Sequence, residues 1–143
     1  MSARIPVADQ LEIEDLAARY NLAIDLGDPD GWVACYTEDG EFAITTVGSW
    51  TAATFGLAPG RWRGRSALLE FAVAISGTRN ARHWSANRVL TPVGDGLDAV
   101  SYMNICYLGR PADDRLLTGI MRDHLRRSAD GWHQRQYCEL DVR

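Results

Sequence analysis

Two residues in this chain have the types and setting needed to move a proton: His83, within Arg82-His83-Trp84-Ser85-Ala86-Asn87, and Asp25, within the apolar run Leu22-Ala23-Ile24-Asp25-Leu26. Histidine is the one side chain whose ordinary pKa lets it accept or release a proton near neutrality. A carboxylate that holds one ring nitrogen leaves the other free to act as a base. If the two meet in a buried pocket, the chemistry expected of them is abstraction of a proton from carbon.

Further groups would have to serve that pair. On a strand, side chains alternate, so His83, Ser85 and Asn87 share one face. Asn87 is then expected to orient a bound molecule beside the histidine. Arg82, Trp84, Ala86 and Arg88 fall on the opposite face, toward solvent or a second subunit. The competing account of His83 is a core histidine satisfied by a backbone carbonyl. Asp25 lies near the negative end of a helix dipole and calls for a cationic partner, which imidazolium would supply; its competing account is a solvated helix-end carboxylate. Tyr20, on the same helix, is expected to donate a hydrogen bond to a substrate oxygen, or else to be core with its hydroxyl on a backbone group. Asp123 alternates with Met121 and Leu125, so it shares an apolar face and must be paired or protonated. Either it donates a hydrogen bond as a neutral acid or it pairs with Arg135 on the next strand. Trp32, Tyr36, Phe42, Trp50 and Phe55 are the candidates for an apolar substrate-binding wall.

Bulk properties narrow the possibilities. At 143 residues, 46% hydrophobic and 24% charged, the chain suits one globular domain over residues 1–143. The net charge is −4, with no basic cluster, so no nucleic-acid partner is expected. Every basic residue is an arginine; the absence of lysine excludes a lysine Schiff base and a Walker-type phosphate loop. Cys35, Cys106 and Cys138 lack a CxxC pair, and the three histidines lack the HExxH spacing, so neither disulfides nor a metal are expected. No run approaches the ~20 apolar residues of a membrane span, and Met1-Ser2-Ala3-Arg4-Ile5-Pro6 lacks a signal peptide's apolar core. A cytoplasmic location with no membrane partner is the resulting expectation.

The elements that must position these residues can be read in order. A first helix is expected from Asp9 as cap, with Glu12 completing a capping box, and with Gly27 as its stop. Asp28-Pro29-Asp30 restarts a short second helix bearing Trp32, Val33, Cys35 and Tyr36. After the turn Thr37-Glu38-Asp39-Gly40 comes a strand near residues 41–47, then a long loop over 48–62 that suits a lid or interface. Ser66 can cap a third helix ending before Gly77. Strands are expected at 81–92, 97–109, 115–127 and 132–142, with turns at Val93-Gly94-Asp95-Gly96 and Ser128-Ala129-Asp130-Gly131. Helices first and strands last predict an α+β domain: three helices from the N-terminal half on one face of a cone-shaped, curved antiparallel or mixed sheet, enclosing a small-molecule pocket.

Arg19-Tyr20, Gly27-Asp28-Pro29-Asp30-Gly31-Trp32, Tyr36-Thr37-Glu38-Asp39-Gly40 and Asp130-Gly131-Trp132 resemble, in their order, the nuclear-transport-factor-2-like (NTF2-like) superfamily, and its SnoaL-like branch in particular. The resemblance covers roughly residues 9–142. Ketosteroid isomerases of this superfamily donate hydrogen bonds to an enolate from positions similar to Tyr20 and to Asp123 in Asp123-His124. Their catalytic aspartate falls near Thr45 or Thr46, neither of which can act as a base. The lindane dehydrochlorinase pattern, an aspartate ending the first helix and a histidine four residues before an asparagine, resembles Asp25 and His83 with Asn87. Bile acid 7α-dehydratase keeps the Tyr20–Asp25 spacing, and scytalone dehydratase has a pocket histidine at the position similar to His83.

The resemblance implies a cofactor-independent lyase or isomerase acting on a hydrophobic cyclic molecule such as a steroid or polyketide. His83 is expected as base, Asp25 as its orienting partner, and Tyr20 and Asp123 as donors to developing negative charge. Two other functions fit the same fold: a non-catalytic ligand-binding or dioxygenase small-subunit module, and a polyketide cyclase of the SnoaL type. With only three helices to cover the sheet, a homodimer or homotrimer is expected, joined through the face that carries Trp84.

Overall fold

A computed structural model describes residues 4–76 and 80–140. The proposed stop at Gly77 and the strand end beyond residue 140 lie outside these residues. Helix α1 (Val7–Leu26) begins two residues before the expected cap, with Pro6 as N-cap and no side-chain capping bond. Asp9 is spent elsewhere: its Oδ1 accepts from Trp132 Nε1 at 3.3 Å and lies 2.9 Å from Arg127, which also reaches Glu12. The pattern that reads as a capping box therefore ties α1 to a distant hairpin. Gly27 closes the helix in the left-handed conformation, φ +76°, which costs glycine little. Asp28 caps α2 (Pro29–Val33) by accepting from the Gly31 N–H at 2.9 Å.

Strand β1 (Glu41–Val47) follows. The segment expected to be a loop instead forms helix α3 (Ser49–Phe55) and strand β2 (Gly60–Arg63), so the described residues hold four α-helices and not three. β2 finds its place through a non-local pairing with β1, Phe42 opposite Trp62, that local sequence cannot announce. Helix α4 spans Gly64–Ile75 and starts two residues before Ser66, which makes no capping bond.

The long strands β3 (Ala81–Val93), β4 (Gly96–Tyr107), β5 (Leu116–Ser128) and β6 (Gly131–Leu140) complete one mixed sheet. Its order is β2-β1-β6-β5-β4-β3, with β1 parallel to β6 and the other pairs antiparallel. On β4, Leu97, Ala99, Met103, Ile105 and Tyr107 are buried, whereas Val100 and Tyr102 are exposed, the alternation of a sheet with one covered face. Residues of β1 and of β3 line the same cavity although four strand spacings separate them. A flat sheet would hold them roughly 19 Å apart, so the sheet must curl around the space. At its centre Gly119 lets β5 approach β6: a Cβ there would meet the Glu139 carbonyl at 2.7 Å.

Candidate active site

The end of α1 and the start of β3 bring Asp25 and His83 together. Asp25 Oδ1 lies 2.6 Å from His83 Nδ1, and Oδ2 accepts the His83 backbone N–H at 2.9 Å. One carboxylate thus holds both the ring and the main chain of its partner. Its side chain is 6% exposed and that of His83 17%. A carboxylate only accepts, so in the neutral ring Nδ1 carries the proton and Nε2 keeps its lone pair. No described residue hydrogen-bonds Nε2.

Both residues line a cavity of about 400 Å³. Of the other expected site residues, Tyr20, Trp32 and Phe42 line it as well. Trp32 packs at ring-centroid distances of 5.6 Å from Tyr20 and 5.8 Å from Phe42, joining α1, α2 and β1 into one aromatic wall. Burial pushes the Tyr20 phenol far above its ordinary pKa, with neighbouring Cys138 and Asp123 adding to the rise, while hydrogen bonds with Tyr36 and Trp32 pull the other way. The hydroxyl is a neutral donor throughout the physiological range.

The remaining expected residues do not line the cavity. Asn87 is exposed, with φ +58°, because the β3–β4 register slips between Ala86 and Val89. This bulge resets the alternation: Arg88, expected outside, turns in, its side chain 7% exposed and paired with Glu14 at 2.6 Å. Asp123 is buried behind the wall, opposite Gln136 on β6. Burial pushes its carboxyl up to about 6, against a hydrogen bond from Gln136 and the charges of Arg88 and His124. Its Oδ1 has no hydrogen-bond partner among the described residues. Arg135 is not its partner; it faces the other side of β6 and pairs with Asp39. Tyr36 donates to Gln136 Oε1 at 3.3 Å, so Tyr36, Gln136 and Asp123 form a polar layer beneath the cavity. Trp50 packs on Phe55, and Phe55 stacks on Tyr107 at 4.8 Å, one shell behind the surface that Tyr107 presents.

Sequence reasoning missed Met103, Ile105 and Tyr107 as lining residues, although their alternation on β4 was the available signal. Arg82 also lines the cavity, and no local pattern indicates that. Among the described residues no cluster of three or more His, Cys, Asp or Glu side chains is poised to hold a metal ion.

A curled sheet and helices closing on a largely apolar, small-molecule-sized cavity, with an aspartate–histidine pair in its wall, define an NTF2-like domain, also called cystatin-like. The chain belongs to the SnoaL-like domain family, whose profile matches residues 6–137. It is similar to a candidate aromatic ring hydroxylase from Novosphingobium aromaticivorans, with 25% identity, TM-score 0.75, and coverage of 98% of this chain and 94% of that one. An NTF2-like protein with a cystatin-like fold from the same organism is 23% identical, with TM-score 0.69 and coverage of 94% and 82%. A candidate scytalone dehydratase, also from that organism, is 17% identical, with TM-score 0.69 and coverage of 95% and 86%. The latter two likenesses concern the fold alone. No curated protein matches the sequence significantly.

Proposed function

We propose that this SnoaL-like domain is a cofactor-independent lyase or isomerase acting on a hydrophobic cyclic compound such as a steroid or polyketide. One observation carries the reading: Asp25 holds His83 at two points, Nε2 has no hydrogen-bond partner among the described residues, and the pair lines a largely apolar cavity. In the reaction Nε2 takes a proton from an acidic C–H next to a carbonyl. The C–H electron pair moves toward the oxygen, and Asp25 stabilises the imidazolium that forms. The neutral Tyr20 hydroxyl donates to the oxygen where charge develops. The enolate then either expels a β-hydroxyl, which leaves as water after taking up a proton, or takes the proton back at another carbon. Asp123 acts from the layer behind, through Gln136 and Tyr36, and does not touch substrate.

The likeness to a candidate aromatic ring hydroxylase supports a cyclic, aromatic ligand. The test is hydrogen exchange from carbon. In D₂O the protein should accelerate deuterium uptake by a cyclic ketone such as 2-tetralone, read by mass spectrometry, and His83→Ala should remove that acceleration. Equal rates with the wild type and the variant would refute the mechanism. Polyketide ring closure by the same dyad is distinguished by product analysis, which would find a new carbon–carbon bond.

Association through the uncovered sheet face belongs to the same proposal. Trp84, Val89, Val100 and Tyr102 are all exposed there, and cross-strand register puts them on one side of β3 and β4. A second copy of this chain, as dimer or trimer, is the proposed occupant. Among the described residues no helix is long and apolar enough to cross a membrane.

A further inference from the structure

The ionic groups of the cavity come from one region of the chain's fold. Asp25, Asn80, Arg82 and His83 meet where α1 ends and β3 begins, whereas Ile44, Phe71 and Ile105 are among the apolar groups of the remaining wall. A space divided in this way suits a molecule divided in the same way, greasy along its body and polar at one tip.

Arg82 determines what that tip is. Simple alternation on β3 would send its side chain to the face opposite His83. Arg82 is exposed, as that alternation predicts, yet it also lines the cavity, and its Nη1 donates back to the Ala81 carbonyl at 2.9 Å. The turn is open to it because β3 is the last strand of the sheet, and among the described residues no further strand pairs with that edge. A guanidinium has five N–H donors in a planar fork, and among the described residues one hydrogen bond to a protein acceptor is made here. Arg19, Arg61, Arg88, Arg122, Arg127 and Arg135 all pair with carboxylates. Arg82, like several other described arginines, has no carboxylate partner among the described residues, and of these it is the one that lines the cavity. Asp25, the nearest acid on this wall, already has both oxygens committed to His83.

The geometry points to Arg82 as the acid-recognising residue of the site: the ligand is an apolar cyclic molecule that carries a carboxylate. The carboxylate sits on the Arg82 fork at the rim, and the ring system fills the interior, where one C–H comes under His83 Nε2. A carboxylate matches two parallel N–H donors with its two oxygens, and one guanidinium balances its single charge. Binding energy at the acid group, away from the reacting carbon, would serve to orient that C–H. This inference rests on the cavity being the substrate site, as proposed above.

Titration calorimetry with a matched pair of probes, 2-naphthoate and 2-naphthamide, tests it. The wild type should bind the acid at least ten-fold more tightly than the amide. Arg82→Gln should erase the preference by weakening the acid alone, while Arg82→Lys should keep part of it; circular dichroism checks that both variants fold. Equal affinity for the two probes, binding of neither, or a preference that survives Arg82→Gln would overturn the assignment. The base chemistry is judged separately. A wild type that shows no acid preference but exchanges the ketone removes Arg82 only, and ketone exchange that persists in His83→Ala removes the dyad only.

Discussion

Asp25 makes two hydrogen bonds to one residue, and they have separable consequences. The ring contact sets the tautomer; the bond to the His83 N–H sets where β3 sits against α1. On a verified substrate, His83→Ala should lower kcat by at least about 10²-fold while the melting temperature stays close to that of the wild type. Asp25→Asn can still occupy the space but no longer stabilises imidazolium. It should leave ligand affinity nearly unchanged in calorimetry and reduce kcat. Asp123 supplies a different test. Its folded pKa of about 6 lies above the 3.8 of an ordinary aspartate because burial penalises the charge. Between these values the folded state holds more protons than the unfolded chain, so this residue's contribution to stability is full below about 4 and is lost as pH rises through about 6. The loss amounts to up to about 3 kcal/mol, from 1.36 kcal/mol per pKa unit. Urea unfolding at pH 4.5 and 7.5 should show that decline in the wild type, and Asp123→Asn should flatten it.

Elements place these residues through a few departures from regularity. The bulge after Ala86 moves Asn87 out and Arg88 in, so the inward residues of β3 change from odd to even numbers along one strand. Gly119 is the place where β5 and β6 close under the cavity, next to Leu140. Gly119→Ala drives a methyl against a backbone carbonyl, which cannot swing away as a side chain would. A destabilisation of about 1–3 kcal/mol by chemical denaturation is expected. At the start of α2, Asp28→Ala leaves the Gly31 N–H without its acceptor and should cost about 1 kcal/mol. The effect should reach ligand binding, because α2 carries Trp32 into the cavity wall.

For the whole molecule, assembly turns on the outer face of β3 and β4. If a second copy covers it, Trp84→Asp should convert an oligomer to monomer in size-exclusion chromatography with light scattering, and a monomeric wild type would refute that association. At this scale the difference between what was legible and what was not is also plain. Punctuation by Gly27 and Asp28-Pro29, the period-two burial of β4, and both hairpin turns depend on neighbours a few residues apart, so composition and spacing announce them. β2, pinned by Phe42 opposite Trp62, and the pairing of Arg135 with Asp39 depend on chain segments far away in sequence.

The sequence by itself determined an α+β domain with one covered sheet face, and it singled out an aspartate near a helix end and a histidine on a strand, because local propensity and resemblance operate residue by residue. Only the tertiary structure decided that these two meet at 2.6 Å, that Asp123 and Asn87 stand away from the cavity, and that the exposed Arg82 also lines it. Those outcomes follow from sheet curvature, a bulge and an open strand edge, which arise when distant segments pack together and have no counterpart in any short stretch of chain.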